Sequence, residues 1–357
     1  MNWSFSKETF NLLKEQVFIS SPTGSETEFS SYLASKWKNK GLPVRSDVLG
    51  NLYTSIAGSN DLNVAILAHL DTVSLQVTDI LPGGFLPFRS VGLQALRLVG
   101  QTVEIRGDDA CYKGVVGFDP TSQYSKGLSE EDLWIDAGFT SQEEAESHIS
   151  IGAHVVFSPR FSLMNDQFLC GTAMDNRIGM FVLDQCLDLL LQKRYPVNIH
   201  FVGTTQEEIA LRGASVIAHH LPLIDACLIL DVDYATDTPQ SHSGQMGPLL
   251  LGKGVGFNVK SDNNPVLQKL ARRVAEQSEI PYQLTVGRFP KGGTDASVVQ
   301  LLQGGIATLN INIPCRYMHS PIEICSVRDV EYAICLIVSL VEALAQRGAQ
   351  NFIPLAL

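Results

Sequence analysis

Apolar residues recur along this chain in two rhythms, and the change between them divides it. Phe5 to Ile19 carries apolar side chains at helical spacing, ended by Pro22-Thr23-Gly24. A second helix is predicted from Ser25 to Lys40, stopped by Gly41. Val44 to Asp47 and Leu52-Tyr53-Thr54 read as strands around the Gly50-Asn51 turn, and Val64 to Ala68 as a short buried strand. From residue 73 to about 160 the texture becomes short alternating strands punctuated by Gly and Pro. Gly84 to Leu86, Thr102 to Ile105, Gly114 to Gly117 and Ala153 to Phe157 are examples, with one short helix over Ser141 to His148. Alternation of helix and strand then resumes. Helices are predicted over Ile178–Leu191, Leu211–His219, Asn264–Gln277, Ala296–Gln303 and Val327–Ala345, and strands over Val197–Val202, Ala226–Leu230 and Ile306–Ile311.

This pattern predicts an α/β fold, a mixed sheet between helical layers built from residues 1–72 and 161–357. An all-β domain of residues 73–160 is inserted into it. Functional groups are expected at one edge, where strand ends meet loops.

Composition narrows the classes. A chain of 357 residues, 45% hydrophobic, can bury a large core. A net charge of -11 and the lack of a basic run with interleaved aromatics argue against a nucleic-acid partner. No apolar run reaches the length of a membrane span, and residues 1–25 lack a signal-peptide core. Seven dispersed cysteines without a C-x-x-C pair point to reduced thiols, hence a cytoplasmic protein with no membrane partner.

Five polar segments follow or flank the apolar runs: Ala68-His69-Leu70-Asp71, Ala173-Met174-Asp175-Asn176, Gln206-Glu207-Glu208, Leu230-Asp231-Val232-Asp233 and Met318-His319-Ser320. Carboxylates and imidazoles at the ends of buried strands cost desolvation energy unless a partner compensates. His69 and Asp71, two apart on a strand, point the same way, one as ligand and the other orienting it. Asp175 precedes a helix, as a bridging carboxylate or as an ordinary N-cap. Glu207 and Glu208, in extended geometry, face opposite sides, so one can ligate while the other serves as general base. Asp231 ends a strand, as a ligand or simply as its terminator, which is also the plain reading of Asp233 and Asp237 nearby, and His319 follows a strand. Gly292, Gly293, Thr294 and Asp295 open a helix whose amides can hold a substrate anion, or simply cap it. His242 lies in a Ser- and Gly-rich loop. Each segment alone has an ordinary structural explanation. Together they make the donor set of two divalent cations, and nitrogen and oxygen ligands without thiolate suit Zn, Co or Mn.

The order and wording of these segments resemble the tetrahedral (TET-type) aminopeptidases, co-catalytic di-metal exopeptidases some of whose members are labelled endoglucanase. Leu67-Ala68-His69-Leu70-Asp71, Ala173 to Gly179, Thr205-Gln206-Glu207-Glu208 with Leu211 to Ala214, Gly292 to Ala296, and Arg316 to Pro321 carry the resemblance over nearly the whole chain. It implies a metallopeptidase domain with a β-rich insert that dimerises, and assembly into tetrahedral dodecamers. It implies that His69 and Asp231 hold one metal, Glu208 and His319 the other, and that Asp175 bridges. Glu207 is then the general base, with Asp71 supporting His69. The expected reaction is hydrolysis of peptides at a free N-terminus. Another amide hydrolase on the same centre (a deacylase or a carbohydrate-directed enzyme) and a non-catalytic scaffold are the alternatives. Thr72, where an acid commonly stands, and Ala210, where Gly usually follows the acid pair, depart from the family's pattern.

Overall fold

The computed structural model describes residues 3–121, 127–241, 243–287, 293–347 and 352. Gly292 and His242 lie outside the described residues.

The strand Asn63–His69 shows how the larger sheet is built. Val64, Ile66 and Ala68 enter one core, Ala65 and Leu67 another. This is the period-two alternation of a strand buried on both faces. The strand Ala226–Tyr234 repeats it, with Leu228 and Leu230 in the first core and Cys227 and Ile229 in the second. Asn63–His69 runs parallel to both Asn198–Thr204 and Ala226–Tyr234, and the latter parallel to Ala307–Arg316. Their C-terminal ends therefore share one edge.

Antiparallel strands extend this parallel centre. Leu52–Ile56 and Val44–Ser46 lie on one side. Glu323–Ser326, Phe168–Gly171 and Phe161–Met164 lie on the other. Val255–Asn258 joins Ala307–Arg316 to Tyr282–Thr285, which completes an eleven-stranded mixed sheet. The helices Lys7–Val17, Thr27–Asn39, Met174–Leu190, Pro265–Gln277 and Val327–Arg347 bury their apolar sides in the first core. The second core is smaller, closed by the 3₁₀ turn Ala214–His219 and the helix Ala296–Val299. Among the described residues, no helix is long and apolar enough to cross a membrane.

Six further strands form a separate antiparallel sheet, in the order Phe88–Val91, Ser74–Val77, His154–Phe157, Thr102–Arg106, Cys111–Phe118 and Leu133–Asp136. Leu86 and Ile135 exchange two backbone hydrogen bonds of 2.9 Å, so the sheet curls until its ends meet. Its core draws on residues from Leu75 to Val155.

Several predicted elements are corrected. Gly84 to Leu86 is not a strand, because Gly84 turns at φ 81 and only Leu86 bridges. The helix predicted over Leu211–His219 is reduced to the 3₁₀ turn Ala214–His219, since Ala210 and Leu211 both have positive φ (77 and 57). The helix predicted over Ala296–Gln303 ends at Val299, and a 3₁₀ turn at Leu302–Gly304 contains Gln303 at φ 53. Ala95–Leu98 is a second short helix beside Gln142–Glu146 in the smaller sheet's stretch of chain.

Candidate metal centre

The parallel strands deliver the polar segments to one edge. His69 ends its strand, and its Nδ1–H donates to the Asp71 carbonyl at 3.0 Å, which leaves Nε2 facing the centre. Asp231 lies on the adjacent strand, its Oδ1 3.6 Å from His69 Nε2. Asp175 Oδ1 is 3.1 Å from His69 Nε2, and its Oδ2 is 3.2 Å from His319 Nε2. Glu208 Oε2 is 3.3 Å from His319 Nε2, and Glu207 Oε2 lies 4.0 Å from His69 Nε2. The structure thus brings together His69, Asp175, Glu207, Glu208, Asp231 and His319.

Two local expectations change. Glu207 and Glu208 are not extended: Gln206 turns at φ 56 and Glu207–Ile209 is a 3₁₀ turn. The Asp71 carboxylate fixes that turn, accepting the Glu207 and Glu208 amides at 2.9 and 3.2 Å and the Thr23 hydroxyl at 2.9 Å. Asp71 therefore orients the acid pair as well as sitting beside His69. Asp175 is not an N-cap. That position belongs to Ala173, and Asp175 and Asn176 leave helical geometry so that the carboxylate meets both imidazoles.

The charges fit divalent cations. Burial raises the pKa values of Glu207 and Glu208 well above the carboxylate range, and neighbouring acids add to it. Burial also raises that of Asp231. Burial works against a charged His69, but Glu207, Asp175, Asp231 and Asp71 outweigh it and push its pKa well up. Buried carboxyl groups thus outnumber the cationic groups the protein supplies, and ionising them all needs added positive charge. Glu208 Oε1 is buried and has no hydrogen-bond partner. Among the described residues, three groups place their ligand atoms within 4.8 Å of one another: His69, Asp175 and Asp231; His69, Glu207 and Glu208; Asp175, Glu208 and His319. Oxygen and imidazole donors in this arrangement suit two divalent ions that share Asp175.

A cavity of about 600 Å³ opens beside these groups. Asp233, Asn258, Lys260 and Asn312 line it, as do Ala210, Gly293 and Thr294. Asp233 accepts from Asn258 at 3.2 Å, whereas Asp237 lies apart, held by Arg316 through two bonds of 2.8 and 2.7 Å. Asp295 faces away from solvent and accepts from the Thr204 hydroxyl at 2.5 Å; burial raises its pKa to about 7. The helix that Gly293 and Thr294 precede is a single turn, Ala296–Val299, so its dipole is small.

Glu323 escaped the sequence reading. Its Oε2 accepts the Asp175 amide at 3.0 Å and its Oε1 the His319 amide at 2.8 Å. Burial raises its pKa to about 8. The available signal was an acid opening an apolar strand four residues after His319.

Residues 50–336 match the M42 glutamyl aminopeptidase family. The chain belongs to that family. It is an aminopeptidase, a metal-dependent peptide hydrolase. The lysyl aminopeptidase of Pyrococcus furiosus is 31% identical over 309 residues, covering 84% of this chain and 87% of that protein. The TET aminopeptidase of a marine sediment Thaumarchaeota archaeon superposes with a TM-score of 0.90 at 29% identity, covering 97% of this chain and 100% of its own. A Pyrococcus horikoshii TET peptidase, which assembles into a tetrahedron or a large octahedral shell, gives a TM-score of 0.83 at 27% identity over 93% of this chain and 99% of its own.

Proposed function

We propose that this aminopeptidase removes N-terminal residues from peptides at a two-metal centre with Glu207 as general base. The observation that carries the reading is Asp175, whose two oxygens each face a different histidine. His69, Asp231 and Asp175 would hold one ion, and Glu208, His319 and Asp175 the other. When bound, two divalent cations polarise the scissile carbonyl and acidify a water. Zn, Co and Mn all suit these donors. Glu207 is left out of both proposed ligand sets, although its carboxylate also groups with His69 and Glu208 and reaches the same space. It accepts the water's proton and returns it to the leaving amine. Asp71 keeps Glu207 aimed through its backbone amide. Gly293 and Thr294, on the cavity wall, contact the substrate.

Glu207→Gln tests the assignment. The variant is expected to keep about two divalent ions per chain, measured by elemental analysis, while kcat on aminoacyl amides falls about a hundredfold or more. Full turnover with both metals bound would reassign the base.

We further infer that chains associate through the six-stranded module, in dimers and in larger shells like that of the Pyrococcus horikoshii relative. A light-scattering mass of one chain at micromolar concentration would refute this. The free thiols of Cys111, Cys170, Cys186, Cys227, Cys315 and Cys325 support a cytoplasmic location, and fractionation of the producing cells tests it.

A further inference from the structure

We propose that Arg97 is a positioning residue for the metal centre, reaching from the six-stranded module to hold His319. The inference rests on the two-metal reading above.

His319 occupies a conformation that needs outside support. It has φ 59, and Tyr317, two residues earlier, has φ 62. The left-handed region is disfavoured for a residue with a side chain, because Cβ crowds the following carbonyl oxygen. The turn is fastened from both sides. On the carbonyl side, Arg97 Nη1 donates to His319 O at 2.7 Å and to Met318 O at 3.2 Å. On the amide side, His319 N–H donates to Glu323 Oε1 at 2.8 Å. Glu323 Oε2 takes the Asp175 amide at 3.0 Å, a bond that holds the shared carboxylate's backbone without Arg97.

Arg97 comes from the short helix Ala95–Leu98, and Leu98, beside it, is buried in the small sheet's core. The guanidinium is therefore anchored in one module while its donors act in the other. A second contact comes from the same stretch. A Cβ on Gly92, which has φ 74, would lie 3.3 Å from Glu208 Oε2 and 3.5 Å from His319 Nδ1. Glu208 and His319, the pair proposed for one ion, thus have the backbone of this segment against them.

The other half of the centre is fastened differently. His69 is tied to Asp71 within its own segment, and Asp231 stands opposite Asn312 inside the large sheet. Loss of Arg97 should therefore act on one ion and spare the other. A purely structural loss would not make that distinction.

The test is stepwise titration of metal-free protein with Co²⁺, followed by calorimetry and by the visible absorption of the bound ion. Arg97→Met keeps the stem and removes both donations. It is expected to weaken one of the two Co²⁺ sites about 10–100-fold, in the range for lost partners behind a ligand. The other site and the thermal midpoint of the metal-free protein should match the parent. Arg97→Lys, which retains charge but not the planar fork, should weaken the same site by less. It also serves if Arg97→Met does not fold. Two dissociation constants equal to the parent's, or a parallel fall in both, would overturn the role of Arg97 and leave the two-metal reading standing. A parent protein that binds fewer than two ions would overturn that reading, and this inference with it.

Discussion

His200 and His69 sit on neighbouring strands of one sheet, and their surroundings give them opposite charge preferences. His200 Nε2–H donates to Asn63 Oδ1 at 3.0 Å, and Nδ1 accepts the Ser55 hydroxyl at 2.8 Å, which satisfies a neutral ring. Burial, helped by Arg45, lowers its pKa to about 4. A pKa below the unfolded value near 6.5 means that the neutral ring stabilises the fold above that pH. That stabilisation is lost as pH falls from about 6.5 through 4. We expect the urea midpoint of the parent to drop more across this window than that of His200→Gln. Parallel curves would show that His200 does not titrate with folding. At this scale the sequence was legible wherever chemistry sits on the side chain named. His69, Asp175 and Asp231 stand beside apolar runs, and the structure brings their side chains together. Glu323 and Arg97 act through backbone groups of distant residues. No spacing along the chain records such contacts.

Elements buried on both faces were the easiest to read. Val64 to Ala68 and Ala226 to Leu230 are continuous apolar runs because both of their faces meet a core. Four-residue strands such as Phe168–Gly171 and Glu323–Ser326 are too short for a period to emerge, and pairing rather than pattern defines them. The helix expected from Leu211 failed for a local reason. A Cβ at Gly213 would lie 2.3 Å from Asn51 Oδ1 and 2.4 Å from Thr205 O, so the chain runs tightly over the loop holding Glu207 and Glu208. The first turn at Met174 also trades regularity for the site. Asn176 Oδ1 accepts the Gly179 amide at 2.9 Å while its Nδ2 donates to Leu230 O at 2.9 Å. This ties the segment carrying Asp175 to the strand carrying Asp231. Ala210, one of the two departures from the family's pattern, stands at φ 77, a region where glycine is unstrained, and it keeps the turn without it.

Among the described residues the two sheets have separate cores, and the candidate metal ligands belong to the body of the larger sheet. The small sheet's core lies between Leu75 and Val155, whereas the largest core gathers residues from Leu13 to Leu344. His69, Asp175, Glu208, Asp231 and His319 all lie outside the stretch that forms the small core. Binding to the folded state alone stabilises by about 3–4 kcal/mol at free ligand a hundred to a thousand times the dissociation constant. For a domain of 150–250 residues this amounts to about 10 °C in thermal midpoint. Two separate cores also predict departure from a single two-state transition. We therefore expect scanning calorimetry of the metal-loaded protein to resolve two transitions. Removal of the ions by a chelator should lower the one belonging to the large core by about 10 °C and shift the other by far less. Hydrogen exchange assigns the transitions, since amides of Thr102–Arg106 and Asn63–His69 report on different sheets. One transition that moves as a unit would show that the contacts between modules, Arg97 on the His319 turn among them, make the two bodies a single cooperative structure.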